Sequence, residues 1–165
     1  MTDVALERSW TQEGRPRLNR RGLEAGPGPW WDEPDKVQWI DPATDLDCLA
    51  VRGPFGAWCG YVGLPPGHPL HGIDYSDLDV DVHGGLTYAS ECQEQATEAA
   101  GICHVPFPGR PEHVWWLGFD CARAGDLAPG LVSDGFAGFP EDRYRDLAYL
   151  RAEVARLAEQ LADRG

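Results

Sequence analysis

Between Ser76 and Tyr88 the chain reads SDLDVDVHGGLTY, with apolar and polar positions in strict alternation. Leu78, Val80 and Val82 fall on one side, and Asp77, Asp79, Asp81 and His83 on the other. A period of two predicts a β-strand with one face buried. Its other face then carries a column of carboxylates ending in an imidazole, successive members about 7 Å apart. Gly84-Gly85 follows, a place where the backbone can bend or admit a close neighbour.

The same reading gives the other elements. DKVQWI at Asp35 to Ile40 sets Val37 and Trp39 against Lys36, Gln38 and Ile40, a short strand. Cys48 to Arg52 and Ala57 to Val62 are two more, joined by Gly53-Pro54-Phe55-Gly56 as a hairpin connection. A Pro/Gly loop with His68 and His71 leads into the acidic stretch. Ala89 to Gly101 predicts a turn or two of helix, with Ser90 as N-cap and Gly101 as stop. Ile102 to Val105 and His113 to Asp120 read as strands, the second apolar on both faces and so interior to the sheet. Near the C-terminus, Leu147, Leu150, Val154, Leu157 and Leu161 recur at spacings of three and four, with Glu141 and Asp142 suited to the helix start. This strip either crosses a sheet face, the preferred reading, or zips a homodimer through a short coiled coil. Residues 1–28 lack apolar periodicity and read as a flexible N-terminal arm, with a single domain over 29–165. The fold expected is α+β, a mainly antiparallel sheet with the C-terminal amphipathic helix packed on one face.

Charge and composition narrow the function classes. The 165 residues carry a net charge of −13, so nucleic-acid phosphates and anionic membranes repel the surface and neither is an expected partner. The chain has no apolar run of membrane-spanning length and no signal-peptide core, which predicts a cytoplasmic protein. Five cysteines without a C-x-x-C pair argue against a disulfide framework. Cys59, Cys92 and Cys103 read as buried thiols in preference to a structural zinc site completed by His104. Lys36 is the only lysine, the arginine bias of a GC-rich genome.

Several stretches together resemble a widespread family of small phage and bacterial proteins of unknown function. They are DEPDKVQW from Asp32, WCGYVG from Trp58, GHPLHG from Gly67, VHGGLTY from Val82, ICHVP from Ile102 and WWLGFDCARAGD from Trp115, with the closing helix. The resemblance spans about four fifths of the chain, supplies no activity and implies phage provenance. It also implies a last motif of the form GFD, Cys or Thr, then Ala-His-x-Gly-Asp, so Arg123 stands where histidine is expected.

Two constellations carry chemistry. Asp79, Asp81 and His83, joined by Asp120 or Asp126, mix carboxylate and imidazole donors in a way that suits a divalent metal such as Zn²⁺ or Mn²⁺. Cys121 with His83 as base is a weaker nucleophile pair, because the resemblance allows Thr at that position. Both the His83 stretch and Asp120–Asp126 end in glycine-bearing turns, where sites collect. The site expected is therefore His83, Asp120 and Asp126, with Arg123 neutralising the acids or clamping an anionic substrate. The function expected is acid/base or metal-assisted hydrolysis of a polar small molecule. The rival is a non-catalytic, phage-type inhibitor that presents its acidic face to a host protein. The helix reading already makes a prediction. Leu150→Asp places a charge in apolar surroundings and costs several kcal/mol, read as a collapse of the thermal melting transition.

Overall fold

A computed structural model describes residues 6–11, 28–53, 56–95, 97–129 and 142–164. These form a six-stranded antiparallel sheet and one α-helix, an α+β architecture. The strands are β1 (Glu7–Trp10), β2 (Lys36–Ile40), β3 (Asp47–Arg52), β4 (Trp58–Leu64), β5 (Tyr88–Ser90) and β6 (Trp115–Asp120), and the helix α1 spans Leu147–Ala162. Their order across the sheet is β1-β2-β3-β4-β6-β5, so β6 is interior, as its apolar run requires. β1 lies inside the stretch read as a flexible arm. Residues 1–5 and 12–27 of that arm fall outside the described residues.

One row of the sheet explains where the helix goes. Val37, Ala50, Gly60 and Phe119 are register neighbours across β2, β3, β4 and β6. The two small residues in the middle leave a trough, and α1 lies in it. A side-chain carbon added at Gly60 would sit 2.6 Å from Val154 Cγ2 and 2.8 Å from the Phe119 ring, so the helix touches the strand backbone there. Leu150, Val154, Leu157, Ala158 and Leu161 are all fully buried in this layer. Each large aliphatic side chain contributes about 2 kcal/mol by leaving water. The strip that a coiled-coil homodimer would use is thus already covered by the chain's own sheet. The helix starts later than Glu141 and Asp142 suggested. Asp146 is its N-cap, accepting from Tyr149 N at 2.8 Å, and Glu33 Oε2 accepts the Leu147 N–H at 2.6 Å.

Two expected strands are extended segments outside the sheet, and both are held the same way. Tyr75–Asp77 is a single 3₁₀ turn, and no strand follows until β5. Residues 78–83 instead run beside α1. Val82 is buried and Leu78 and Val80 pack on the helix-side core, so the period of two is real. Their backbone is satisfied by helix side chains: Gln160 accepts from Asp81 N at 2.7 Å and donates to Asp81 O at 2.8 Å, and Glu153 accepts from His83 N at 2.9 Å. On the opposite face, residues 103–105 cross β2 as extended chain with no strand of their own. Gln38 donates to Val105 O and accepts from Val105 N, both at 2.8 Å, and Lys36 Nζ donates to Cys103 O at 2.6 Å. Lys36 and Gln38 are completely buried polar residues whose role is to pair with that backbone. Burial pushes the Lys36 amine below its usual pKa, against the pull of the Glu98 carboxylate.

The segment from Ala89 also departs from expectation. Ser90 ends β5, and among the described residues of this segment the only helical turn is a 3₁₀ turn at Glu98–Ala100. Cys92 and Cys103 form a disulfide, correcting the reading of both as free thiols and removing them from any zinc site. Cys48, Cys59 and Cys121 are free and buried.

The close approach at Gly60 is directly testable. Gly60→Val lowers stability by about 1–3 kcal/mol through overpacking against Val154 and Phe119. Val154→Ala added to it restores part of the loss, and denaturant unfolding of the four proteins of that cycle measures the coupling.

Candidate functional site

The site forms where α1, the 78–83 segment and the loop after β6 meet. A second stripe on the helix, one residue ahead of the apolar strip, carries Tyr149, Glu153, Arg156 and Gln160 at spacings of four, three and four. Each grips the neighbouring segment. Arg156 pairs with Asp81 at 3.1 Å, Arg164 donates to Asp79 O, and Tyr149 OH lies 2.7 Å from His83 Nδ1. This stripe fixes His83 in position and orientation.

The other ring nitrogen of His83 meets Asp126, with Nε2 to Oδ2 at 2.7 Å. The loop that delivers Asp126 is built locally. Asp126 N donates to Arg123 O at 2.9 Å, Gly125 takes a positive φ of 89°, and the Arg123 N–H returns to Asp126 Oδ2 at 3.0 Å. A parallel bridge then ties this loop to the helix approach, with Leu127 N donating to Arg143 O at 2.8 Å and Arg143 N to Gly125 O at 2.9 Å. That bridge brings Arg145 Nε within 2.9 Å of Asp126 Oδ1, with its guanidinium 5.0 Å from the Tyr149 ring centre.

The hydrogen-bond directions follow from these partners. A carboxylate accepts, so Nε2 carries the proton toward Asp126 and a neutral ring accepts the Tyr149 hydroxyl at Nδ1. A hydroxyl, an imidazole and a buried carboxylate in that order are a hydroxyl–base–orienter relay. The Asp126 side chain is 1% exposed and that of His83 13%. Burial opposes the charged form of Asp126, but hydrogen bonds from Arg145, His83 and the Arg123 N–H overcome it and hold the carboxyl below its usual value. Burial, assisted by the Glu153 carboxylate, raises the Tyr149 phenol above its usual value and keeps it a proton donor.

Of the residues singled out from sequence, His83 and Asp126 converge and Asp120 does not join them. Asp120 ends β6 on the face away from the helix, where it borders a cavity of about 260 Å³ with Cys59, Tyr61 and Tyr88. Its carboxylate accepts from Thr87 Oγ1 at 3.2 Å and from Ala122 N at 3.1 Å. Arg123 links the two places. Its Nε is 3.3 Å from Asp120 Oδ1, while its stem lies so close to Gly84 that an added Cβ there would be 2.9 Å from Arg123 Cγ. Gly84 also has a positive φ of 68°, so the glycine is required twice over.

Asp79, Asp81 and His83, read from the sequence as metal ligands, are not gathered into one cluster. Among the described residues no group of three or more His, Cys, Asp or Glu side chains is placed to hold a metal ion. The Asp81 carboxylate, 87% exposed, is committed to Arg156, and both ring nitrogens of His83 are engaged by Tyr149 and Asp126. Cys121 is equally unsuited as a nucleophile. It is buried, desolvation raises its thiol pKa with Asp126 adding to the effect, and both ring nitrogens of His83 are engaged. His68, in the preceding loop, bonds Leu161 O and Leu70 N through its ring. Tyr149, Arg145 and Glu153 escaped the sequence reading. For Tyr149 and Glu153 the signal was the polar stripe running parallel to Leu150, Val154, Leu157 and Leu161; Arg145, ahead of the helix, had none.

The fold and site define an α+β protein with Tyr149, His83 and Asp126 hydrogen-bonded in series between the helix and the loop after β6. No family model, curated protein or solved structure matches the chain. Among the described residues no helix is long and apolar enough to cross a membrane.

Asp126 predicts a specific acid response. Its folded pKa is depressed, so its contribution to stability is present above the unfolded carboxylate value, about pH 4, and is lost as pH falls through the lower folded value. Asp126→Asn therefore costs about 1–3 kcal/mol near neutrality and flattens the stability curve in that acid window. Urea unfolding at stepped pH measures both effects.

Proposed function

We propose that the protein is a small enzyme that uses Tyr149, His83 and Asp126 for acid/base hydrolysis of a polar, anionic small molecule in the cytoplasm. The observation that carries this reading is the imidazole of His83, bonded at 2.7 Å to a hydroxyl on one side and at 2.7 Å to a buried carboxylate on the other. In this arrangement Asp126 holds the tautomer and stabilises the imidazolium that forms when His83 takes up a proton. Tyr149 passes its proton to Nδ1 or returns one to a leaving group, and Arg145 beside its ring stabilises negative charge there. Arg123, whose side chain is 41% exposed, and Arg145 supply the cationic rim that favours an anionic substrate.

A second reading rests on a different observation. Asp74, Asp77, Asp79 and Asp81 all face outward beside the exposed ring of Tyr75, an acidic ledge of the kind a phage-type inhibitor would present to a basic host protein.

Turnover of nitrophenyl acyl esters, phosphoryl esters and glycosides separates the two. The enzyme reading expects hydrolysis that falls by at least about a hundredfold in His83→Ala and in Tyr149→Phe, with circular dichroism unchanged. Wild-type rates equal to buffer across the panel, or full activity in His83→Ala, would overturn it.

A further inference from the structure

Lys36, the sole lysine, lies away from the relay, on the opposite face of the sheet and with no exposed surface. Nearly all its polar contacts come from one short loop. Its Nζ donates to Cys103 O at 2.6 Å and Glu98 O at 2.8 Å, and lies 3.4 Å from Glu98 Oε1. The Trp10 ring covers it from the β1 side, 4.8 Å from the amine. That loop is closed covalently by the Cys92–Cys103 disulfide, across a sequence separation of 11. Beside the bridge, Gln93 N donates to Ile102 O at 3.0 Å and Ile102 N to Gln93 O at 2.8 Å. Cys92 is exposed and borders a cleft of about 210 Å³ lined also by His71, His104, Glu112 and His113. The bridge is therefore within reach of a small thiol while the lysine beneath the loop is not.

We propose that the Cys92–Cys103 disulfide gates Lys36, and that reducing it uncovers the amine as a site of covalent acylation. A dithiol reductant supplies the two electrons. Its thiolate attacks the Cys92 sulfur and expels Cys103 as thiolate, which takes up a proton. Its second thiol then displaces Cys92, leaving two free cysteines and an oxidised reductant. The untied loop keeps only its hydrogen bonds, and losing a cross-link over a loop of this length raises the open population roughly a hundredfold. In the open form the neutral amine attacks the carbonyl carbon of an activated acyl donor. The new C–N bond forms, the leaving group departs with the electron pair of its bond, and the surplus amine proton passes to water. The resulting amide nitrogen has one hydrogen and no charge, so it cannot donate to the Cys103 and Glu98 carbonyls together. Acylation thus blocks the loop from closing again.

The single lysine makes the test direct. The protein is treated with the N-hydroxysuccinimide ester of acetic acid, oxidised or after reduction with tris(carboxyethyl)phosphine and its removal, and acetylation is mapped by peptide mass spectrometry. The Met1 α-amine is the internal control. Acetylation at Lys36 is expected to be roughly a hundredfold faster after reduction, with Met1 unchanged. The Cys92→Ser/Cys103→Ser protein should match the reduced form without reductant. Hydrogen exchange on β3 and β4 should stay protected in all three. Equal Lys36 rates in the oxidised and reduced forms overturn the proposal, as does thiol titration that finds no disulfide in the oxidised protein. Loss of protection throughout the sheet on reduction overturns it as well, because the lysine would then be exposed by global unfolding.

Discussion

The contact between Val154 and the backbone of Gly60 is the one on which the rest of this structure depends. A helix normally stands off a sheet by the length of two side chains. Here glycine in β4, flanked in register by Ala50, lets the helix settle into the sheet. That approach buries the whole aliphatic strip of α1 and fixes the helix rotation. Rotation in turn decides where the adjacent polar stripe points. Tyr149, Glu153, Arg156 and Gln160 face the 79–83 segment only because Leu150, Val154, Leu157 and Leu161 face the sheet.

A second constraint works on both faces of the sheet. Buried backbone must find partners, and two segments of this chain find them in side chains. Beside the helix, Gln160 and Glu153 complete the backbone of Asp81 and His83. Across the other face, Gln38 and Lys36 do the same for Val105 and Cys103. An amide side chain offers a donor and an acceptor in the geometry of a peptide group, so one glutamine can stand in for a strand neighbour. The arrangement lets a small sheet carry cover on two sides. It also places chemistry-bearing residues on segments that are extended but outside the ladder, with His83 on one and the Cys103 bridge on the other.

Electrostatics divides the acidic surface into two kinds of carboxylate. Asp126 is buried, held by the Arg145 guanidinium, the backbone N–H of Arg123 and an imidazole, and so remains ionised in a place where a lone carboxylate would take up a proton. The outward acids Asp77, Asp79 and Asp81 stay in water, where an ion pair such as Arg156–Asp81 contributes little. The net charge of −13 therefore describes the solvent face and says nothing of the relay.

Periodicity alone determined much of this molecule. The alternation in Asp35–Ile40 marked one strand, the apolar runs Cys48–Arg52, Ala57–Val62 and His113–Asp120 marked three more, and the three-four spacing from Leu147 marked a helix bound for the sheet. The alternation at Leu78, Val80 and Val82 likewise marked extended chain with one side buried. What it could not say was what that chain lies against, because a period of two reports burial on one side and is blind to the identity of the neighbour. The candidate site divides along the same line. His83 and Asp126 were legible as chemical residues at glycine-bearing turns. Asp120 was assigned to their cluster because sequence proximity cannot tell the two faces of β6 apart. Tyr149, Arg145 and the Cys92–Cys103 pair were decided only by tertiary structure. Each joins its partner across a gap in the chain that no local pattern spans, and only packing of the helix and of the crossing loop closes those gaps.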